Sequence, residues 1–256
     1  MTVKSTPLNA VNAHKQYSEM ADTPNVQRTQ VQSKQVQSEQ VQDAYPSRLT
    51  NTPERTWLPR QDAVVKGRQL SGPLSQAQLD EFERKGFLFI PNLIEGAELD
   101  ELRQEMTVLM SNDEYRNKDF SVTEPESQEI RSLFAVHFLS ERLGELASDE
   151  RVAGAARQII GDDPYVHQSR INYKPGFAGK GFNWHSDFET WHAEDGMPAM
   201  HAVSASLILT DNHEFNGPLM LIPGSHNKFV PCLGETPDDN HKSSLKAQEV
   251  GVPSPE

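Results

Sequence analysis

The residues best placed to do chemistry lie in the block F-N-W-H-S-D-F-E-T-W-H-A-E-D-G-M-P at 182–198, where His185 and Asp187 stand two apart. On a strand, residues i and i+2 project from one face, so the imidazole and the carboxylate would converge on one point. A neutral nitrogen beside a hard oxygen supplies two of the three donors of the 2-His-1-carboxylate set that holds Fe(II) in non-haem oxygenases; the third is a His far downstream. Taken bare, H-x-D is satisfied as well by a hydrogen-bonded surface pair. The setting singles it out: Phe182, Trp184, Phe188 and Trp191 crowd the pair, and residues 184–192 contain no aliphatic side chain.

The elements that must position this pair are legible in outline. Ser75 to Lys85 reads as a helix with Ser75 as N-cap and Leu79 and Phe82 three apart. Gly86–Ile90 reads as a buried strand stopped by Pro91, and Glu95 to Met110 as an amphipathic helix with Leu99, Leu102, Met106 and Leu109 on one stripe. A further helix is predicted over Asp149–Ile160, with Ser148 before it and Gly161 as its stop. From Tyr165 the pattern turns to short strands. Gln168, Arg170, Asn172 and Lys174 alternate with Ser169, Ile171 and Tyr173; Ser204, Ser206, Ile208 and Thr210 alternate with Ala205, Leu207 and Leu209; Leu219–Ile222 is a short apolar run between Gly217-Pro218 and Pro223-Gly224. Helices followed by strands and turns fit a β-sandwich or jelly roll buttressed by helices. In a small barrel the Arg170 face lines the lumen, where Arg170 could fork onto a carboxylate and Gln168 and Asn172 add directional hydrogen bonds. Read as an ordinary strand, the same face is simply solvated, and Ser204 and Ser206 are ordinary strand serines.

The other histidines have plain readings beside the chemical one. His192 could join Asp187 in a zinc-like cluster, although structural zinc more usually takes Cys or several closely spaced His. His226 in P-G-S-H reads as a cap on its turn, and His213 and His241 as exposed.

Composition narrows the class. A formal net charge of −13 argues against nucleic acid or an anionic membrane as partner. Cys232 is the single cysteine, which excludes an internal disulfide and gives no sign of an oxidising compartment. The first residues have no apolar core of a signal peptide, and no run of about 18 apolar residues occurs. A cytoplasmic setting is expected. Residues 1–44 differ from the rest: Val-Gln recurs every five residues at 26, 31, 36 and 41, a period that matches neither helix nor strand, and the reading is a disordered tail followed by one domain over 45–256.

Over that domain the chain resembles the ectoine hydroxylases, a branch of the phytanoyl-CoA-hydroxylase-like Fe(II)- and 2-oxoglutarate-dependent dioxygenases. The resemblance rests on Y-P-S-R at 45–48, H-Q-S-R-I-N-Y-K-P-G-F at 167–177, the block at 182–198, L-T-D-N at 209–212, N-G-P-L-M-L-I-P-G-S-H at 216–226 and G-E-T-P at 234–237. It implies a mainly β, double-stranded β-helix fold (a cupin-like jelly roll) with flanking N-terminal helices. It further implies hydroxylation of ectoine to 5-hydroxyectoine, part of compatible-solute synthesis under osmotic stress, with Fe(II), 2-oxoglutarate and O2 consumed or bound and succinate and CO2 released. In that frame His185 and Asp187 are iron ligands, Asn172, Phe182, Ser204 and Ser206 surround 2-oxoglutarate, and Gln168, Arg170, Trp191, Pro237 and Phe134 shape the ectoine pocket. A homodimer is implied too. The alternatives left open are a related dioxygenase acting on another small zwitterion and a non-catalytic remnant.

Two departures from the family pattern carry expectations. His201 stands where the family carries Arg, which is tolerable if that Arg only supports the site from outside. The family also needs a distal His ligand followed by an Arg that pairs with the far carboxylate of 2-oxoglutarate, and no Arg occurs after Arg170; Lys228, Lys242 and Lys246 lack its fork. The reading is a C-terminally truncated member whose last strands are missing, with exposed edges and little turnover of its own.

Overall fold

The computed structural model describes residues 43–48, 57–124, 127–174 and 185–232, all within the compact unit Asp43–Glu256. The tail expected over 1–44 lies outside the described residues except for Asp43 and Ala44.

Helix α1 (Gln76–Lys85) begins as its sequence dictates. The Ser75 side chain accepts from the Gln78 N–H while the Gln78 side chain accepts from the Ser75 N–H, a reciprocal cap that satisfies two otherwise orphaned donors. It stops at Gly86, whose φ of +83° is a conformation favoured by glycine. Helix α2 (Gly96–Met110) buries Leu102 and Leu109, with Leu99 and Met106 half-buried beside them. Two short helices follow, α3 (Val136–Leu139) and α4 (Glu141–Ser148). The helix expected over 149–160 is a π-helical first turn, Glu150–Gly154, continued by α5 (Ala155–Ile160). Its cap is Asp149, which accepts from the Arg151 N–H at 2.8 Å; Ser148 instead closes α4 by donating to the Gly144 carbonyl. The stop at Gly161 is as expected, at φ +84°.

Among the described residues five short strands form two antiparallel sheets. β1 (Leu58–Pro59) pairs with β5 (Lys228–Phe229), and β2 (Ser121–Thr123), β3 (Ile130–Phe134) and β4 (Arg170–Asn172) form a sheet in that order. Helix α6 spans Asp187–Ala193. The expected mainly β chain is therefore met only in part: among the described residues helices outweigh strands, and no closed barrel is present. Gly86–Ile90 is not a buried strand. It joins no ladder among the described residues, and its alternation turns Leu88 and Ile90 onto the Leu79 cluster while Phe89 is 76% exposed. Residues 203–209 and 219–222 likewise carry no ladder, and Leu219, Met220 and Leu221 are exposed, although Leu207 and Leu209 turn inward as their alternation predicts.

Three apolar clusters hold these elements. Leu79 packs with Val65, Leu74 and Ile159; Leu109 with Ile130, Leu133 and Val136; and Tyr45 with Phe188, Met200 and Phe229. The third joins α6 to both chain ends of the described domain. Its polar edge is Asp62, which accepts from the Tyr45 hydroxyl at 2.7 Å and the Met200 N–H at 2.9 Å.

That edge gives a pH signature. Burial raises the Asp62 carboxyl, but the bonds from Tyr45 and Met200 and the charges of Lys66 and Arg60 more than offset this and hold it below its ordinary value. A depressed folded value means the ionised carboxylate stabilises the fold above the unfolded carboxylate value, about pH 4, and this contribution is lost as pH falls through the depressed one. Asp62→Asn is expected to lower stability at neutral pH and to flatten the loss below about pH 4. Urea denaturation at a series of pH values reads both, and equal slopes for variant and parent would refute the assignment.

Candidate functional site

His185 and Asp187 are brought together, though not by a strand. Ser186 is extended, and Asp187 is the first residue of α6. The helix arises because Phe188, Trp191 and His192 recur at i, i+3 and i+4, the spacing of a helical face, and because Asp187 and Glu189 put negative charge in the first turn. Phe188 and His192 stack at 5.5 Å between ring centres, and Phe188 meets Tyr45 edge-on at 5.3 Å.

His185 Nε2 stands 3.3 Å from Asp187 Oδ1, with both side chains about one-third exposed or less. Two donors on adjacent positions of an octahedral ion, each about 2.1 Å from it, are about 3.0 Å apart. The observed pair is thus close to the spacing a shared metal ion requires, and long for a direct hydrogen bond. Among the described residues no group of three His, Cys, Asp or Glu forms a complete metal cluster. Arg170 Nη2 lies 4.0 Å from Asp187 Oδ1, and the Ser204 hydroxyl is 3.5 Å from Oδ2, at the limit of a hydrogen bond. Burial raises the Asp187 carboxyl, yet His185, Arg170 and Ser204 together leave it below the ordinary carboxylate value, so it is ionised and able to ligate.

The sheet supplies the other side. Ser132 pairs with Asn172 and Phe134 with Arg170 across β3 and β4, so these four share one face. Leu133 and Ile171 take the opposite face and pack in the core. Phe134, a candidate aromatic wall, therefore sits beside Arg170. Ser132 carries no signal in the sequence, where no strand is predicted over 130–134. It is 3% exposed, and its hydroxyl donates to Asn172 Oδ1 at 3.0 Å, which anchors the amide.

The remaining candidates are placed differently. Gln168 and Ser206 are exposed. Trp191 packs edge-on against His167 at 5.3 Å, and His167 in turn meets Asp195 at 3.0 Å. Phe182, Trp184, Pro237, His241, Lys242 and Lys246 lie outside the described residues. His192 does not approach Asp187 as a zinc-like cluster requires: its Nε2 faces Asp43 at 3.0 Å and its Nδ1 meets the Met197 carbonyl at 2.7 Å. His226 caps a helix rather than its own turn, its Nε2 meeting the Glu83 carbonyl in the last turn of α1 at 2.9 Å. His213 is exposed as expected and accepts from the Phe215 N–H. His201 bonds the Ile160 carbonyl at the C-terminus of α5 at 2.7 Å, where a cationic or donor side chain suits the helix dipole.

With this geometry in view, the family model for phytanoyl-CoA dioxygenase (PhyH) matches residues 82–254. The chain belongs to the phytanoyl-CoA dioxygenase family. Among curated relatives, the ectoine dioxygenase of Halomonas elongata is 67% identical over 212 residues, covering 83% of this chain and 64% of its own length. That of Bordetella bronchiseptica is 52% identical over 214 residues, covering 83% of this chain and 69% of its own. The chain thus spans under two-thirds of the Halomonas relative. Solved structures of EctD from S. alaskensis agree in fold. The form with bound Fe has a TM-score of 0.69 at 46% identity over 73% of this chain and 66% of that one. The form with 2-oxoglutarate and 5-hydroxyectoine has a TM-score of 0.71 at 44% identity over 78% and 70%. Family membership gives a cupin-like jelly roll, of which the described residues show two small sheets and their flanking helices.

The Ser132–Asn172 bond can be tested directly. Ser132→Ala is expected to leave the fold intact, to cost about 1 kcal/mol in urea unfolding, and to free the Asn172 amide to rotate. Unchanged Asn172 side-chain amide resonances in the variant would sink that role.

Proposed function

We propose that this chain carries the site of an Fe(II)- and 2-oxoglutarate-dependent hydroxylase that converts ectoine to 5-hydroxyectoine, with succinate and CO2 as co-products. The observation that carries the reading is the 3.3 Å approach of His185 Nε2 to the ionised Asp187 carboxylate, in a chain 67% identical to an ectoine dioxygenase. The donor set fits iron: one imidazole nitrogen and one carboxylate oxygen at the spacing of adjacent ligands.

His185 and Asp187 would hold the metal. Iron with 2-oxoglutarate and O2 supplies the oxidising chemistry, and the chain's residues place and shield the reactants. Asn172, its amide held by Ser132, offers N–H donors to a carboxylate, with Ser204, Ser206 and Phe182 completing the cosubstrate's surroundings. Arg170 lies against Asp187 by one nitrogen, and its fork has further N–H groups for the carboxylate of a small zwitterion. Gln168 adds direction, and Trp191, Phe134 and Pro237 supply apolar walls. A pocket whose polar groups are left unpaired by the wrong ligand discriminates strongly, which suits a receptor for one cyclic zwitterion. The same reading places the protein in the cytoplasm, as a homodimer, with residues 1–44 a tail outside the catalytic domain.

Anaerobic titration tests this reading. Fe(II) followed by 2-oxoglutarate is expected to give a visible charge-transfer band that ectoine perturbs. His185→Ala and Asp187→Asn should abolish the band and the gain in melting temperature that Fe(II) produces. A band perturbed by proline but not by ectoine would reassign the substrate to another zwitterion. Binding of ectoine without any metal dependence would favour a non-catalytic binding protein.

A further inference from the structure

The largest unexplained feature near the site is a carboxylate with no exposed surface. Glu189 is 0% exposed, yet it bears a charge and neighbours the candidate ligand Asp187. Residues in an α-helix turn by about 100° each, so positions two apart point to nearly opposite sides. Asp187 therefore faces His185, Arg170 and Ser204, while Glu189 points the other way, into the segment Tyr45–Arg48.

There its partners are specific. Arg48 forks onto it, Nε to Oε1 at 3.0 Å and Nη2 to Oε2 at 2.9 Å, and the Ser47 hydroxyl donates to Oε1. The same Ser47 oxygen accepts from the Cys232 N–H at 2.9 Å, and the Arg48 N–H bonds the Cys232 carbonyl at 3.0 Å. Arg48 Nη1 also holds Glu194, just past the end of the helix, at 2.8 Å. One arginine thus braces both ends of α6, and one hydroxyl ties three separate stretches of chain together. Arg48 does this from a left-handed backbone at φ +59°. A non-glycine residue there is strained and persists only where its surroundings over-determine it.

We propose that the Ser47–Arg48–Glu189 clamp is a positioning device for the metal site. By gripping the far side of the first turn of α6, it fixes the rotation at which the Asp187 carboxylate meets His185. Ser47, Arg48 and Glu189 are positioning residues that never touch the metal. The inference rests on the reading of His185 and Asp187 as ligands, and its effect is on affinity and coordination geometry. Partners that orient metal ligands are typically worth about 10-fold to 100-fold in affinity.

The test uses Co(II) as a spectroscopic stand-in for iron on the full chain and on the variants Glu189→Gln, Arg48→Lys and Ser47→Ala. Calorimetry gives affinity, the visible spectrum gives coordination geometry, and urea denaturation gives stability. Hydrogen exchange of the Trp191 and His192 amides, whose helical bonds close on the Asp187 and Phe188 carbonyls of the first turn, reports the grip itself in the metal-free chain. The expected result is an affinity loss of about 10-fold or more with an altered spectrum in variants that still unfold cooperatively. Faster exchange at the start of α6 should accompany it. If Glu189→Gln fails to fold, the milder Arg48→Lys and Ser47→Ala carry the comparison. Folded variants with the parent's affinity and spectrum overturn the clamp alone. A parent chain that binds no Co(II), or binds it equally well as His185→Ala, overturns the metal reading and the clamp's role with it.

Discussion

A carboxylate that is both ionised and fully enclosed dictates its surroundings. For Glu189 the cost of removing a charge from water is offset only by partners that are themselves fixed, and a forked Arg48 with the Ser47 hydroxyl provides them. Burial raises the Glu189 carboxyl, and these partners bring it below its ordinary value. The consequences spread outward. Arg48 must adopt a left-handed backbone, Cys232 must lie within reach of both Ser47 and Arg48, and Tyr45 is thereby set against Phe188 and Phe229. The aromatic cluster beneath α6 and the charge clamp on its side are therefore one structure, in which apolar contact supplies the burial that gives the ion pair its strength.

The sheet solves a different problem with opposite means. β4 has one apolar face, carried by Ile171 against Leu133, and one polar face carrying Arg170 and Asn172. Two-residue periodicity separates them, so packing can hold the strand without touching the groups left available for ligands. Ser132 then adds what packing cannot: a hydrogen bond that anchors the Asn172 amide against the buried strand. Helix and sheet meet where Arg170 approaches Asp187, so the candidate site draws its carboxylate from α6 and its N–H donors from β4.

Much of this was legible in the sequence, and the misses have physical causes. The Ser75 cap and the Gly86 and Gly161 stops are local, so α1 and the end of α5 follow from their own residues. The alternation at 168–174 and 203–210 predicted which side chains share a face, because that depends on the backbone of one segment. It could not predict whether a ladder forms, since that depends on a neighbour far away in the chain. His185 and Asp187 were found as a pair through their types and spacing, but the i+2 argument led to a strand. The helical recurrence of Phe188, Trp191 and His192 was the stronger signal. Glu189 and Arg48 were passed over because each looks like an ordinary surface charge, and only their convergence across 141 positions of sequence shows that neither is.

The placement of Arg170 explains why that position calls for arginine. At 4.0 Å from Asp187 Oδ1, one nitrogen contributes a charge that keeps the carboxylate ionised without a close hydrogen bond competing for its lone pairs. A lysine at this distance would act as a single point charge, and drawing its ammonium toward a ligand would remove it from Asp187. The planar guanidinium divides the task, because its five N–H groups diverge from a rigid fork. One edge can stay beside Asp187 while the other meets an incoming carboxylate. The arrangement also sets a preference among ligands. A dication held by His185 and Asp187 would repel Arg170, and an anionic group between them would relieve that repulsion, so in the proposed site cation and carboxylate would each favour the binding of the other.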